Sequence, residues 1–334
     1  MDLESRIQAF ALLGDYLKND FYLERSDELL DVELNNPWFS QDNIKLSLDN
    51  WSDQLNIEVL RAWLVPYRLT EVNVAKRVLV IMAGNIPLVG FHDFLSVIIF
   101  GHKLVIKLSS NDNILLPLLI NKLIDINPGM SQYIEFIDDI EEKIFDAVIA
   151  TGSDNSAKYF EYYFRQAKKV IRKNRRSVAL IDGTESDVSL RGLAYDVFGY
   201  FGLGCRSVSK VFLPEGYDLD RLFEVFYPFK DILDHKKYSN NYDYNKAVLL
   251  IGKNNILENG FLIMKEDKSF LSPVAVLYYE YYKDISIVKQ FLKDNSSQLQ
   301  CIVSQEHIQF GSAQKPKLWD YADGIDIISF LKEL

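Results

Sequence analysis

A chain of 334 residues with 48% hydrophobic and 25% charged residues has the composition of a soluble globular protein, long enough for two domains or one large one. Its formal net charge of -10 argues against nucleic acid as the main partner, because phosphate backbones are held by clustered Lys and Arg. Two cysteines, Cys205 and Cys301, exclude a disulfide framework and a cysteine-rich zinc site, and fit a reducing cytoplasm.

Asp2 and Glu4 stand ahead of Ile7, Phe10, Leu12 and Leu13, so the N-terminus lacks the basic-then-apolar order of a signal peptide and reads as an amphipathic helix. Apolar spacing through Leu12 to Tyr22 and Ile57 to Leu64 predicts helices over residues 1 to about 70, separated by the polar loop Asn35 to Asp42. From Arg77 the pattern changes. Val78 to Met82 is an unbroken apolar run, as in a strand buried on both faces, and it ends in Ala83-Gly84-Asn85-Ile86-Pro87 before a helix, Gly90 to Phe100. A second strand, Lys103 to Lys107, closes in Leu108-Ser109-Ser110-Asn111-Asp112; the helix Leu115 to Ile124 and strands at Tyr133 to Ile137 and Ala147 to Ala150 follow. Gly84, Asn85, Pro87, Asp93, His102 and Lys103 interrupt this apolar region, so it offers no membrane span.

The fourth strand opens into Thr151-Gly152-Ser153-Asp154 and a helix from about Asn155 to Lys168. This alternation predicts a mostly parallel sheet covered on both faces, with ligands beyond the carboxyl ends of the strands, where Asn85, Lys107, Gly152 and Ser153 fall. A Gly-Ser turn at a helix start suits phosphate, although the same residues also serve as a plain cap, and no Gly-x-Gly-x-x-Gly is present. Arg172, Lys173, Arg175 and Arg176 read as a solvated turn beside a strand, Ser177 to Ile181, with an anion site as the alternative.

Asp187 to Phe201 has helical spacing, Gly202 and Gly204 end it, and Ser207 to Pro214 alternates as a strand. Cys205 is thereby displayed on a glycine-flanked bend, a place for a nucleophile; spacing alone also fits a buried structural thiol. The remainder predicts a helix at Leu219 to Phe226, a polar loop at His235 to Tyr244, and strands at Ala247 to Ile251, Phe261 to Met264 and Val274 to Tyr279. A helix at Lys283 to Leu292, a strand at Leu299 to Val303, a loop at Phe310 to Gln314 and a helix at Gly324 to Leu331 complete it. His92, His102, His235 and His307 lack metal-site spacing and read as structural.

Ala83-Gly84-Asn85-Ile86-Pro87-Leu88, Val105-Ile106-Lys107-Leu108-Ser109, Ala150-Thr151-Gly152-Ser153 and Gly202-Leu203-Gly204-Cys205 occur in an order that resembles the aldehyde dehydrogenase superfamily. The nearest resemblance is to its acyl-CoA reductase branch of the LuxC type, from about Ile81 to the end. The resemblance implies an α/β, aldehyde-dehydrogenase-like fold, with a Rossmann-like cofactor domain, a second α/β catalytic domain and an active site between them. On the sequence, residues 1–182 form the N-terminal helices and cofactor domain, 183–310 the catalytic domain and 311–334 a C-terminal segment.

By position, Cys205 resembles the acyl-accepting nucleophile, and Asn85 with the Cys205 backbone amide the oxyanion donors. Lys107 resembles the lysine that holds the adenosine ribose, and Thr151, Gly152 and Ser153 the helix start beside the pyrophosphate. Ser110 stands where NAD-preferring relatives often carry a glutamate, which implies NADPH. Ser272-Pro273-Val274 occupies the place of a Gly-Pro-Val near the nicotinamide ribose, with Pro273 retained and the usual Glu and Phe replaced by Ser269 and Leu271. The base that hydrolytic relatives carry in Leu-Glu-Leu-Gly-Gly becomes Leu180 in Ala179-Leu180-Ile181-Asp182-Gly183.

The activity so implied is that of a cytoplasmic, metal-independent acyl-CoA reductase of the long-chain acyl-protein thioester reductase type. It would take an acyl group from a coenzyme A or protein thioester onto Cys205 and reduce it with NADPH to a fatty aldehyde, with Arg206 or bound cofactor activating the thiol. An aldehyde dehydrogenase working in the oxidising direction and a non-catalytic acyl-binding relative are the alternatives, and a homo-oligomer is left open.

Overall fold

A computed structural model describes residues 1–70, 72, 74–140 and 144–334. The chain divides into two compact units, one of Met1–Asn174 with Lys317–Leu334, the other of Arg175–Pro316.

The first unit is built on five parallel strands: β1 (Arg77–Ile81), β2 (Lys103–Lys107), β3 (Ile134–Phe136), β4 (Ala147–Thr151) and β5 (Lys168–Arg172), in the order β3-β2-β1-β4-β5. Successive side chains leave a strand on opposite faces, and the apolar runs serve both. Val78, Val80, Leu104, Ile106, Ala147 and Ile149 enter one hydrophobic cluster, while Leu79, Ile81, Val105, Val148 and Ala150 enter another. The first cluster is completed by the helix Phe91–Phe100, nearly all of it buried, and by the N-terminal helices, of which Leu3–Asn19 supplies Phe10, Leu13 and Leu17.

The second unit carries β6 (Arg176–Leu180), β7 (Val208–Pro214), β8 (Leu257–Glu258), β9 (Ile263–Glu266), β10 (Val276–Tyr282) and β11 (Leu299–Val303), ordered β11-β6-β7-β10-β9-β8. All neighbours are parallel except the β8–β9 edge pair. Ala179, Val211, Leu213 and Leu277 face a core shared with the helix Asp187–Phe198, and Val178, Leu180 and Phe212 face a smaller one.

Several sequence-based expectations differ from this structure. The boundary lies after Asn174, because β6 pairs with β7 and β11 in the second sheet; the last eighteen residues are no separate segment, since Leu318, Ile327, Ile328 and Leu331 join the core of the first unit. The expected loop at His235 to Tyr244 and strand at Ala247 to Ile251 form one helix, Lys236–Ile251. Tyr238, Tyr242 and Asn245 are its buried side, and the run that mimics a strand ends with Leu250 and Ile251 54% and 83% exposed. Finally, β5 was not foreseen: only Val170 and Arg172 of its five residues are buried, and the flanking charges hide the strand.

Candidate functional site

In the first unit the strand order reverses between β1 and β4, the topological switch point where open parallel sheets bind ligands. The segments leaving the carboxyl ends of β1, β4 and β2 bear Asn85, then Thr151, Gly152 and Ser153, then Lys107 and Ser110. The unit thus gathers these six residues at one edge of its sheet. Asn85 and Ser110 are exposed; Lys107 is half-buried and its Nζ donates to the Asp138 carbonyl at 2.7 Å.

The loops after β1 and β2 are pressed together. A Cβ on Gly84 would lie 2.5 Å from Ser109 Oγ, which explains the glycine beside Asn85. Behind it, Leu88 takes a left-handed φ of 57° and donates its N–H to the Asp112 carboxylate at 3.0 Å. Burial pushes Asp112 up to about 6, and its Oδ1 has no hydrogen-bond partner among the described residues. Asn36 Nδ2 holds the far side of the β2 loop by donating to the Asn111 carbonyl at 3.2 Å. At the third loop, Ser153 Oγ accepts the Ser156 N–H at 3.2 Å and caps the helix Asp154–Tyr163. A Cβ on Gly152 would sit 2.9 Å from Ser156 Cβ. A capped helix start at the switch point fits a dinucleotide.

The basic cluster nearby is partly internal, contrary to the expected solvated turn. Arg172 is buried and grips both oxygens of Asp93, at 2.6 and 2.8 Å, while Lys173 is exposed and pairs with Glu161 at 3.3 Å.

In the second unit, Cys205 and Pro273 precede the amino ends of β7 and β10, which are adjacent and parallel, so both lie at one edge of that sheet. The approach to Cys205 is a strained backbone: Tyr200, Phe201 and Gly202 have φ values of 53°, 55° and 76° in succession. Tertiary bonds hold it. Phe201 stacks on His235 with ring centroids 4.1 Å apart, Ser207 Oγ donates to the Gly199 carbonyl at 3.3 Å, and Gln314 Nε2 donates to Ser207 Oγ at 3.1 Å. Asp196, fully buried, accepts the Gly311 and Ala313 N–H groups at 2.6 and 2.9 Å, and Arg206 reaches the Ala313 carbonyl at 3.4 Å. Cys205 is half-buried, whereas burial pushes the Cys301 thiol up to about 11.

Phe201, Gly202, Tyr238, Ser272, Pro273 and Val274 help to line a pocket with an empty volume of about 320 Å³, part of it open solvent; Cys205 is not among the lining residues. The Pro273 loop is fixed by Asn245 Nδ2, which donates to the Val274 carbonyl at 2.9 Å, and by the Val276 N–H bond to the Pro273 carbonyl at 3.1 Å. Leu180 is buried in the smaller apolar core. The Glu185 carboxylate is engaged by the Asp182 and Gly183 N–H groups at 2.8 and 3.0 Å.

Sequence reasoning missed Ser177, Asp112, Asp196 and Gln314. Each is a buried polar residue far along the chain from the loop it braces, and no spacing signal marks such a pairing.

Residues 22–226 match the family model described as acyl-CoA reductase (LuxC). The chain is 26% identical over 187 residues to long-chain acyl-protein thioester reductase 2 of Photobacterium leiognathi, covering 51% of this chain and 39% of that protein. It is 27% identical over 272 residues to the long-chain acyl-protein thioester reductase of Aliivibrio fischeri, covering 74% and 55%. The chain therefore spans about half the length of these curated relatives, or less. Among solved structures, an aldehyde dehydrogenase from Bacillus cereus in its NAD+ complex superposes with a TM-score of 0.62 at 14% identity, over 91% of this chain and 72% of that one. The fold is that of the aldehyde dehydrogenases.

Proposed function

The chain belongs to the acyl-CoA reductase (LuxC) family, and on that premise we propose that it reduces a long-chain acyl thioester to an aldehyde through Cys205. The Cys205 thiolate attacks the acyl carbonyl carbon of a coenzyme A or protein thioester, with Asn85 and the Cys205 N–H as donors to the oxyanion. Collapse breaks the bond to the donor's sulfur, which leaves as a thiolate and takes up the proton released when Cys205 ionised. NADPH, when bound, would supply the hydride for the carbonyl carbon of the Cys205 thioester. Collapse of the resulting hemithioacetal then expels the Cys205 thiolate and frees the aldehyde.

Lys107, Ser110, Thr151, Gly152, Ser153 and Pro273 are the residues proposed to hold the cofactor. NADPH is favoured over NADH because Ser110 can donate to a 2′-phosphate where a glutamate would repel it. Two cysteines outside any disulfide accord with a cytoplasmic location.

The observation that carries the reductase reading is an apolar side chain at the position where hydrolytic relatives carry their base. Leu180, in the register of the hydrolytic glutamate, is packed in an apolar core, and Glu185 is tied to two backbone amides. A Cys205 thioester should therefore persist until hydride arrives. The test is incubation with acyl-CoA alone, which should give a stable mass increase on Cys205, discharged as aldehyde on adding NADPH and more slowly with NADH. Rapid release of free fatty acid without cofactor would reject this reading in favour of an oxidising dehydrogenase.

A further inference from the structure

We infer that Ser177 is a positioning residue for the nucleophile, holding the peptide plane that follows Cys205; this rests on the reading of Cys205 given above. Residues Gly204 to Ser207 form a turn closed by the Ser207 N–H bond to the Gly204 carbonyl at 3.0 Å, with Cys205 and Arg206 at its centre. Two rigid peptide planes meet at the Cys205 Cα. The first contains the Gly204 carbonyl and the Cys205 N–H, and Ser207 fixes it. The second contains the Cys205 carbonyl, which accepts the Ser177 hydroxyl at 2.9 Å. With both planes fixed, so are the two backbone dihedrals of Cys205, and hence the directions of its N–H and its Cα–Cβ bond.

The central peptide of such a turn is the plane that can flip, which interconverts type I and type II turns and demands a positive φ at the second central residue of type II. Arg206 is not among the residues with positive φ, so the flipped form would lose the Ser177 bond and also force Arg206 into the left-handed region.

The sheet is built to aim this hydroxyl. Ser177 is fully buried in β6, and the pairing register shifts beside it on both sides: Ser177 and Val178 pair with Val208 and Lys210 of β7, and Arg176 and Ser177 with Leu299 and Cys301 of β11. Each neighbouring strand thus carries one extra residue, Ser209 or Gln300, and bulges of this kind redirect side chains. Behind Ser177 stands Cys301, its Sγ 2.9 Å from Ser177 Oγ. Burial keeps that thiol protonated at neutral pH, so it can donate to Ser177 Oγ and leave the serine hydrogen to point at the Cys205 carbonyl.

The test compares wild type, Ser177→Ala and Ser177→Thr in two measurements: the single-turnover rate of Cys205 thioester formation from acyl-CoA, and amide hydrogen exchange across residues 199–207. Ser177→Ala is expected to lower the acylation rate constant roughly tenfold with half-saturation little changed, and to speed exchange in that segment selectively, as loss of one buried hydrogen bond implies. Ser177→Thr, which keeps the hydroxyl, should recover the rate to within about threefold. An unchanged acylation rate in folded Ser177→Ala, or faster exchange spread evenly over the second unit, would overturn the inference. Should Ser177→Ala fail to fold, Ser177→Cys, slightly larger and with a weaker donor, is read by the same criteria under reducing conditions that keep it from pairing with Cys301. If wild type forms no thioester, the nucleophile reading fails, and the exchange measurement alone decides whether Ser177 orders the turn.

Discussion

Cys205 and Cys301 share a sulfur and little else. Cys205 is half-buried on a turn with two glycines before it, while Cys301 points into a core beside Val303 and Ala179. Cys205→Ala should abolish the acyl mass increase and aldehyde formation while leaving thermal stability within a few degrees. Cys301→Ala should stay within about twofold of wild-type activity, because Ser177 can still donate to the Cys205 carbonyl without a thiol behind it. Retained thioester formation in Cys205→Ala would end the mechanism. Asn85 permits a second test at this scale. It is exposed at the switch point, so its side chain contributes little to the core. As an oxyanion donor it should matter to the rate: Asn85→Ala is expected to lower kcat roughly a hundredfold with KM nearly constant. A raised KM at constant kcat would show that Asn85 serves only its turn.

At the scale of elements, what the sequence made legible was set by burial on both faces. Val78 to Ile81 and Leu104 to Ile106 read as strands because every position meets apolar neighbours, and the structure confirms them as β1 and β2. β5 and the helix Lys236–Ile251 were not legible, because each buries only a few residues among charged or tyrosine-rich positions. The loops bearing Asn85, Lys107 and Gly152 could be placed at strand ends, since apolar runs stop there; the braces behind them could not. Gly84 joins the two kinds of information. The motif contains it, but only the structure shows that Ser109 lies where its side chain would be. Gly84→Ala must displace the β2 loop, an overpacking that costs about 1–3 kcal/mol. The expected result is a lower melting temperature together with weaker NADPH binding by fluorescence titration. A variant that binds NADPH as wild type does would show that the two loops need not touch.

Over the whole molecule, each unit contains one buried carboxylate that resists ionisation, Asp112 in the first and Asp196 in the second, both pushed up to about 6 by burial from 3.8. The folded chain therefore holds more protons than the unfolded one between about pH 4 and 6, and stability falls as pH rises through that window and levels off above it. A shift of this size corresponds to the order of 3 kcal/mol per group. Surface carboxylates such as Asp182, Glu258 and Asp267 act in the opposite sense: their hydrogen bonds lower them, so their contribution is lost as pH falls below about 4. The two buried acids also differ from each other. Asp196 uses both oxygens on backbone amides, so an amide replacement leaves one N–H without its acceptor. Asp112 uses one oxygen on Leu88, which the Asn carbonyl can replace, and its other oxygen has no hydrogen-bond partner among the described residues. Asp112→Asn should therefore match wild type in urea unfolding near pH 4 and become the more stable of the two by pH 7.5, the gap opening between pH 4 and 6. Asp196→Asn should be the less stable at pH 7.5. A constant difference between Asp112→Asn and wild type across this range would mean that Asp112 ionises normally in the folded chain.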